Sequence, residues 1–181
     1  MPKIVDHDEQ RKVFTDAAMR LIARQGFEAV TMRKVASEAG LSYGSLFHYF
    51  DSKDDLLRHA IRRSTTEQGQ RVNGFTSRYK GLKALEQLIS DDSLVTDSSR
   101  DAWMLWQAFL YRSSLQESFA DLHNELIEGW VKRFRTILEE ARDMGEVSDT
   151  LDCEKEAWAL EYRHGFSNSR RVHPLNELLC P

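Results

Sequence analysis

An all-α fold is predicted by three observations. Apolar residues recur at three- and four-residue spacing over long runs, glycine and proline are scarce (9 and 3 in 181 residues), and no stretch alternates apolar with polar residues as a half-buried strand would. A small three-helix unit is expected over residues 8–53, followed by a larger helical part over residues 54–181.

Residues 1–7 are expected to be a mobile arm with Lys3 as its only basic residue. From Asp8 to Gln25, Val13, Phe14, Ala17, Ala18, Leu21 and Ile22 form one apolar stripe at helical spacing. Arg11, Lys12, Arg20 and Arg24 lie off that stripe, either on a solvated face or facing phosphates. Gly26 ends this helix and Phe27 plugs the small core. Thr31 is a good N-cap for a second helix, in which Val35, Ala36 and Ala39 face inward and Gly40 provides the stop. Ser42 then caps a third helix, held down by Leu41, Leu46 and Phe50. Tyr43, Gly44, Ser45, His48 and Tyr49 remain outward, a row of small, aromatic and hydrogen-bonding groups. Two short helices joined by a tight turn, the second with such a face, read as a helix-turn-helix offered to the major groove of DNA.

Ser52 followed by Asp55 has the form of a capping box, and acids suit the positive end of the helix that follows. That helix runs through Leu56, Leu57 and Ile61 to about Gly74. Gly81 to Ile89 makes a short helix, and the polar stretch from Asp91 to Arg100 reads as a loop. Asp101 to Tyr111 is rich in aromatic residues, with Trp103, Trp106 and Leu110 on one face. A long helix follows, through Phe119, Leu122, Leu126, Ile127, Trp130, Phe134, Ile137, Leu138 and Ala141 to Met144-Gly145. Cys153 to about Phe166 can form one more, after which the pattern breaks.

The residues from Gln25-Gly26-Phe27 through Val30–Ala36, Gly40-Leu41-Ser42 and Leu46–Phe50 to Lys53–Leu57 closely resemble the TetR family of dimeric, ligand-responsive repressors. Trp103 to about Gly145 is similar to the choline-responsive BetI branch. The resemblance implies a DNA-binding domain at 8–53 and a ligand-binding and dimerisation domain at 54–181. It puts Thr31, Arg33, Tyr49 and Lys53 at phosphate-gripping positions. Ser42, Tyr43, Gly44, Ser45 and His48 complete the expected DNA-binding set, with Tyr43 and His48 as candidates for base edges. The family commonly has tyrosine where this chain has Phe47; without a hydroxyl, Phe47 is expected to serve packing. The family also ends in two long helices that pair across a dimer. Here the stretch from about Gly165 departs, so a shortened or altered dimer element is expected.

On the ligand side, Trp103, Trp106, Leu110 and Trp130 are candidates to line a pocket, with Gln107, Tyr111 and His123 as polar contacts. Tryptophan faces attract quaternary ammonium groups, although an aromatic stripe at helical spacing is commonly core. The expected partners are thus a palindromic double-stranded DNA operator, a small-molecule inducer that contacts aromatic rings or carries a cation, and a second copy of the chain. No cofactor and no membrane is expected.

The net charge of −4 is unevenly spread. Residues 1–63 hold 11 Lys/Arg against 9 Asp/Glu, or +2, and residues 64–181 hold 14 against 20, or −6. With so modest a positive charge, DNA binding should rest on a few placed contacts from a dimer. The six histidines show no metal-ligand spacing, Cys153 has no adjacent base, and there is no glycine-rich phosphate loop, so an enzyme is not expected. The start lacks a signal-peptide core, no apolar run reaches the ~18 residues of a membrane span, and two cysteines without a motif suit a reducing interior, pointing to the cytoplasm. The alternative is an all-α dimeric ligand-binding protein whose DNA binding is weak or lost.

Overall fold

The computed structural model describes residues 7–89 and 97–166. Most of the expected N-terminal arm, most of the expected loop and the departing C-terminal stretch after Phe166 lie outside the described residues. Eight helices are present among the described ones: α1 (His7–Gln25), α2 (Met32–Ala39), α3 (Tyr43–Leu46), α4 (Lys53–Thr76), α5 (Gly81–Ile89), α6 (Asp97–Ser113), α7 (Glu117–Asp143) and α8 (Cys153–Phe166). None is long and apolar enough to cross a membrane. The all-α class read from the sequence is what the chain adopts. Two boundaries differ. Helix α6 begins at Asp97, inside the expected loop, because Asp97, Ser98 and Ser99 are of the types that favour helix starts as well as turns. Helix α3 is a single turn, after which the chain tightens: His48 N–H donates to Ser45 O at 3.1 Å and Tyr49 N–H to Leu46 O at 3.0 Å.

Packing divides the chain into two compact units. The first comprises α1 to α3, α4 through Glu67, α6, and α7 through His123. Its core takes Phe14, Ala17, Ala18, Leu21 and Ile22 from α1, with Val35, Ala36, Leu46, Phe50, Leu56 and Leu57, all buried. Phe14 meets Phe50 edge-on at 6.2 Å. Helix α1 packs on both α2 and α6. Phe119 closes the α6 side, its ring 6.0 Å from Phe27 and 6.2 Å from Phe109.

One charged side chain crosses this unit. The Arg112 guanidinium, at the end of α6, lies 5.4 Å from the Phe27 ring centre and 5.7 Å from that of Phe119. Its Nη1 donates to Glu28 Oε1 at 2.5 Å and its Nη2 to Asp54 Oδ1 at 3.4 Å. The side chain is only 16% exposed. It therefore ties α6 to the α1–α2 connection and to the first turn of α4 through two charge-assisted contacts and two ring faces.

The second unit comprises α4 from Gln68, α5, α7 from Asn124, and α8. Val72, Ala84, Leu85, Leu88, Val131, Phe134, Ile137, Leu138, Cys153, Ala157 and Leu160 form its core. Glu146 braces the start of α5 by accepting from Leu82 N–H at 2.7 Å. Glu161 of α8 is 5% exposed, and burial pushes its carboxyl up to about 7.

Two stability measurements follow from these placements. Arg112→Ala should lower unfolding free energy in urea by about 2 kcal/mol, since it removes a mostly buried side chain packed against two rings, together with its contacts to Glu28 and Asp54, and Arg112→Lys should recover only part. For Glu161, an acid whose folded value lies above its unfolded one favours the fold at low pH. Its contribution is whole below about 4.5 and is lost as pH rises through about 7, by roughly 3 kcal/mol in all. Melting temperature should fall across that window, and Glu161→Gln should flatten the fall.

Candidate nucleic-acid interface

The helix-turn-helix is assembled by local hydrogen bonds that its sequence supplies. Thr31, with extended backbone angles, caps α2 by accepting from Lys34 N–H at 3.3 Å. Gly40 ends α2 in the left-handed region at φ 68°; its N–H reaches Ser37 O at 3.2 Å and Leu41 N–H reaches Ala36 O at 3.0 Å. These two bonds are the Schellman pairing, and only glycine adopts that φ without strain. Ser42 caps α3 by accepting from Ser45 N–H at 3.0 Å, while Ser45 Oγ donates to Ser42 O at 2.7 Å. Ser52 accepts from Asp55 N–H at 3.1 Å, and Asp55 Oδ2 accepts from Asp51 N–H at 3.2 Å, a reciprocal cap one residue wider than the usual box.

Leu46 and Phe50 are fully buried beneath α3, so the other side of that turn faces out. Thr31, Arg33, Ser42, Gly44 and His48 are exposed; Ser45, Tyr49 and Lys53 are half-buried. Tyr43 is 43% exposed and the Arg33 guanidinium stands 5.3 Å from its ring centre. No atom of the described residues lies within 4 Å of where a Cβ on Gly44 would sit, which leaves open surface beside Tyr43. Tyr49 leans on Phe14 at 5.7 Å and His7 at 5.5 Å. Lys53 sits near Glu28 O, 3.5 Å from its Nζ, and burial holds its ammonium below the usual lysine range.

Phe47, expected to serve packing, packs at the surface. It is not in the core: 47% of it is exposed, and its ring meets Tyr43 edge-on at 5.1 Å. The four-residue spacing of the two rings, which brings side chains together on a helical turn, was the available signal.

Several basic residues of the first two helices are spent within the fold. Arg20 Nε donates to Glu38 Oε1 at 3.1 Å and Arg24 pairs with the same carboxylate. Those two contacts hold the Glu38 carboxyl below its ordinary range. Lys34 donates to Gln25 Oε1 at 3.0 Å and Ala29 O at 2.8 Å.

The aromatic residues expected at a ligand pocket are divided. Trp106 is half-buried in the first unit, 5.2 Å from Phe109 and stacked 6.1 Å from His123. Leu110 is half-buried, whereas Gln107 and Tyr111 are exposed. The Trp103 side chain lies outside the described residues. Trp130 belongs to the second unit, where Arg133 stands 5.7 Å from its ring centre and Phe134 6.2 Å. Phe109, absent from the expected set, is the ring that both Trp106 and His123 contact.

Residues 14–60 match the family model for bacterial regulatory proteins of the tetR family, and residues 83–161 match that for the C-terminal part of BetI-type transcriptional repressors. The transcriptional repressor KstR of Rhodococcus jostii is 30% identical over 179 residues, covering 94% of this chain and 82% of that protein. The transcriptional regulator PksA of Bacillus subtilis is 30% identical over 71% of this chain, and that match spans 64% of its own length, just under two thirds. A transcriptional regulator from Saccharomonospora viridis, solved in complex with choline, shares the fold with a TM-score of 0.72 at 23% identity, over 94% of this chain and 92% of that one. With its helix-turn-helix, its all-α fold and a relative matched almost end to end, this chain belongs to the TetR family of transcriptional regulators, which are not enzymes.

Proposed function

We propose that this chain is a cytoplasmic repressor that binds a palindromic operator as a homodimer and is released from it by a small-molecule inducer. In this reading residues 8–53 read DNA, and residues 54–181 bind the inducer and form the dimer. The observation that carries it is the outward row on α3, rigidly underpinned by buried Leu46 and Phe50 and capped by Ser42. Tyr43, Gly44, Ser45 and His48 face the base edges, Thr31, Arg33, Tyr49 and Lys53 hold phosphates, and Ser42 completes the DNA-binding set at the start of α3. The Thr31 hydroxyl accepts its capping bond and keeps its own proton to donate outward.

Support for a dimer comes from α8, where Trp158 is 47% and Tyr162 68% exposed, four residues apart on one face. Support for an inducer comes from the rings of Trp106, Phe109 and His123, a surround that suits a flat or quaternary ammonium group. Trp103, Gln107 and Leu110 complete the proposed ligand set. The choline held by the Saccharomonospora viridis protein is in keeping with such a ligand.

Selection of binding sites from random duplexes should enrich a palindrome with half-sites about 34–36 Å, or a multiple, apart. Tyr43→Ala should relax preference at one base pair by about 1–3 kcal/mol, whereas Lys53→Ala should weaken all sequences alike and lower the salt slope by about 1. The reverse pattern would exchange the two roles, and no enriched site would favour a ligand-binding protein that has lost DNA recognition. A compound that releases DNA should also quench tryptophan fluorescence, less so after Trp106→Phe. Release without any quenching would remove the tryptophans from the inducer site.

A further inference from the structure

Two glycines inside helices of the second unit bear on one groove, Gly129 in its wall and Gly69 behind its lining residue Arg133. Gly69 of α4 is where Arg133 of α7 comes in: a Cβ there would lie 2.8 Å from Arg133 Nη2 and 3.3 Å from its Cζ. The missing side chain leaves the guanidinium room to lie against α4. Arg133 Nη1 donates to Asn73 Oδ1 at 2.8 Å, and the guanidinium stands over the Trp130 ring at 5.7 Å. Both partners are neutral, and among the described residues Arg133 makes no ion pair, so its positive charge is oriented but not cancelled.

The groove beside it has a volume of about 560 Å³, a size suited to a small organic ligand. Val72 and Ile137 give it an apolar floor. Gly129 forms part of the α7 wall, with nothing within 4 Å of a Cβ placed there, so its lack of a side chain keeps the groove open. Lys80, Lys132 and Arg133 bring three cations to its lining, and Glu140, which pairs with Lys80 at 2.8 Å, is the single carboxylate. This excess of positive charge falls within a part of the chain whose net charge is negative. A planar guanidinium held in a fixed orientation is the group best matched to a carboxylate or phosphate, and the apolar floor adds room for a short hydrocarbon.

We propose that this α4–α7 groove is a binding site for a soluble amphipathic anion, a carboxylate or phosphate head carried on a short apolar chain. Arg133 grips the head, with Lys132 beside it, and the tail lies over Val72 and Ile137 past Gly129. The site is separate from the aromatic group around Trp106 and does not depend on DNA binding.

Isothermal titration calorimetry of the full chain with octanoate and octyl phosphate tests it, against octan-1-ol, octyltrimethylammonium and phosphatidylglycerol vesicles. At least one of the two anions should saturate one site per chain, about tenfold or more tighter than the alcohol or the cation. Arg133→Gln should weaken that binding about tenfold or more. Gly129→Leu should do the same by filling the groove while raising the melting temperature, because leucine is the better helix former and its Cβ meets no neighbour. The proposal is overturned if neither anion saturates up to millimolar concentration, if the cation or alcohol binds as well, if only the vesicles bind, or if either folded variant keeps wild-type affinity.

Discussion

The first unit depends on one guanidinium. Arg112 lies between the rings of Phe27 and Phe119 and holds Glu28 with one nitrogen and Asp54 with another. Neither carboxylate belongs to α6; each stands where a helix ends or begins, Glu28 just after α1 and Asp54 in the first turn of α4. Because the chain enters the helix-turn-helix after Glu28 and leaves it before Asp54, Arg112 grips that element at both ends. An exposed ion pair of this kind contributes little. Here the arginine side is buried against two aromatic faces while Glu28 stays 70% exposed, so the rings carry more of the hold than the ion pairs. Among the described residues the buried Arg112 Nε finds no hydrogen-bond partner, so the stabilisation is partly offset.

The same use of charge for architecture explains how a DNA-binding family member can be acidic overall. Arg20 and Arg24 converge on Glu38, Lys34 fastens the turn after α1, and Arg63 ties α4 to α1 through Asp16, Lys12 O and Thr15. Basic residues that a count would assign to phosphates are committed inside the unit. What stays outward is a small set, with Arg33 laid across Tyr43 and His48 exposed. Recognition in such a protein rests on shape and on a few oriented groups, since there is little broad positive field to attract any duplex.

Local signals were the legible part of this chain. Thr31, Gly40, Ser42 and Ser52 each announce a helix end through chemistry that acts within four residues, and each end is formed by the bonds that chemistry implies. The apolar stripe of α1 and the long period of α7 likewise report faces that the fold buries. Relations between elements were not legible. Periodicity puts Phe47 on a helical turn but cannot say that Tyr43 draws its ring outward. It groups Trp106 with Trp130 by composition, yet the two fall in different units. Polar helix starts resemble loops, which is why α6 reaches back to Asp97. Arg112 carried no sequence signal at all, because three of its four partners, Phe27, Glu28 and Asp54, lie far from it along the chain.

Glycine inside a helix makes the same point from the side of cost. Each one destabilises its helix by about 1 kcal/mol relative to alanine. Gly69 and Gly129 are both interior, in helices of 24 and 27 residues where alanine would be the better choice for the helix alone. Space decides between them. At Gly69 the cost is offset within the fold, because the Arg133 guanidinium occupies the volume a Cβ would take. At Gly129 nothing among the described residues occupies that volume, so none of their packing offsets the loss. What the vacant position does is keep open the groove on which Arg133 turns an uncancelled charge. A stabilising substitution at Gly129 and an open groove exclude one another, and in this chain it is the groove that is kept.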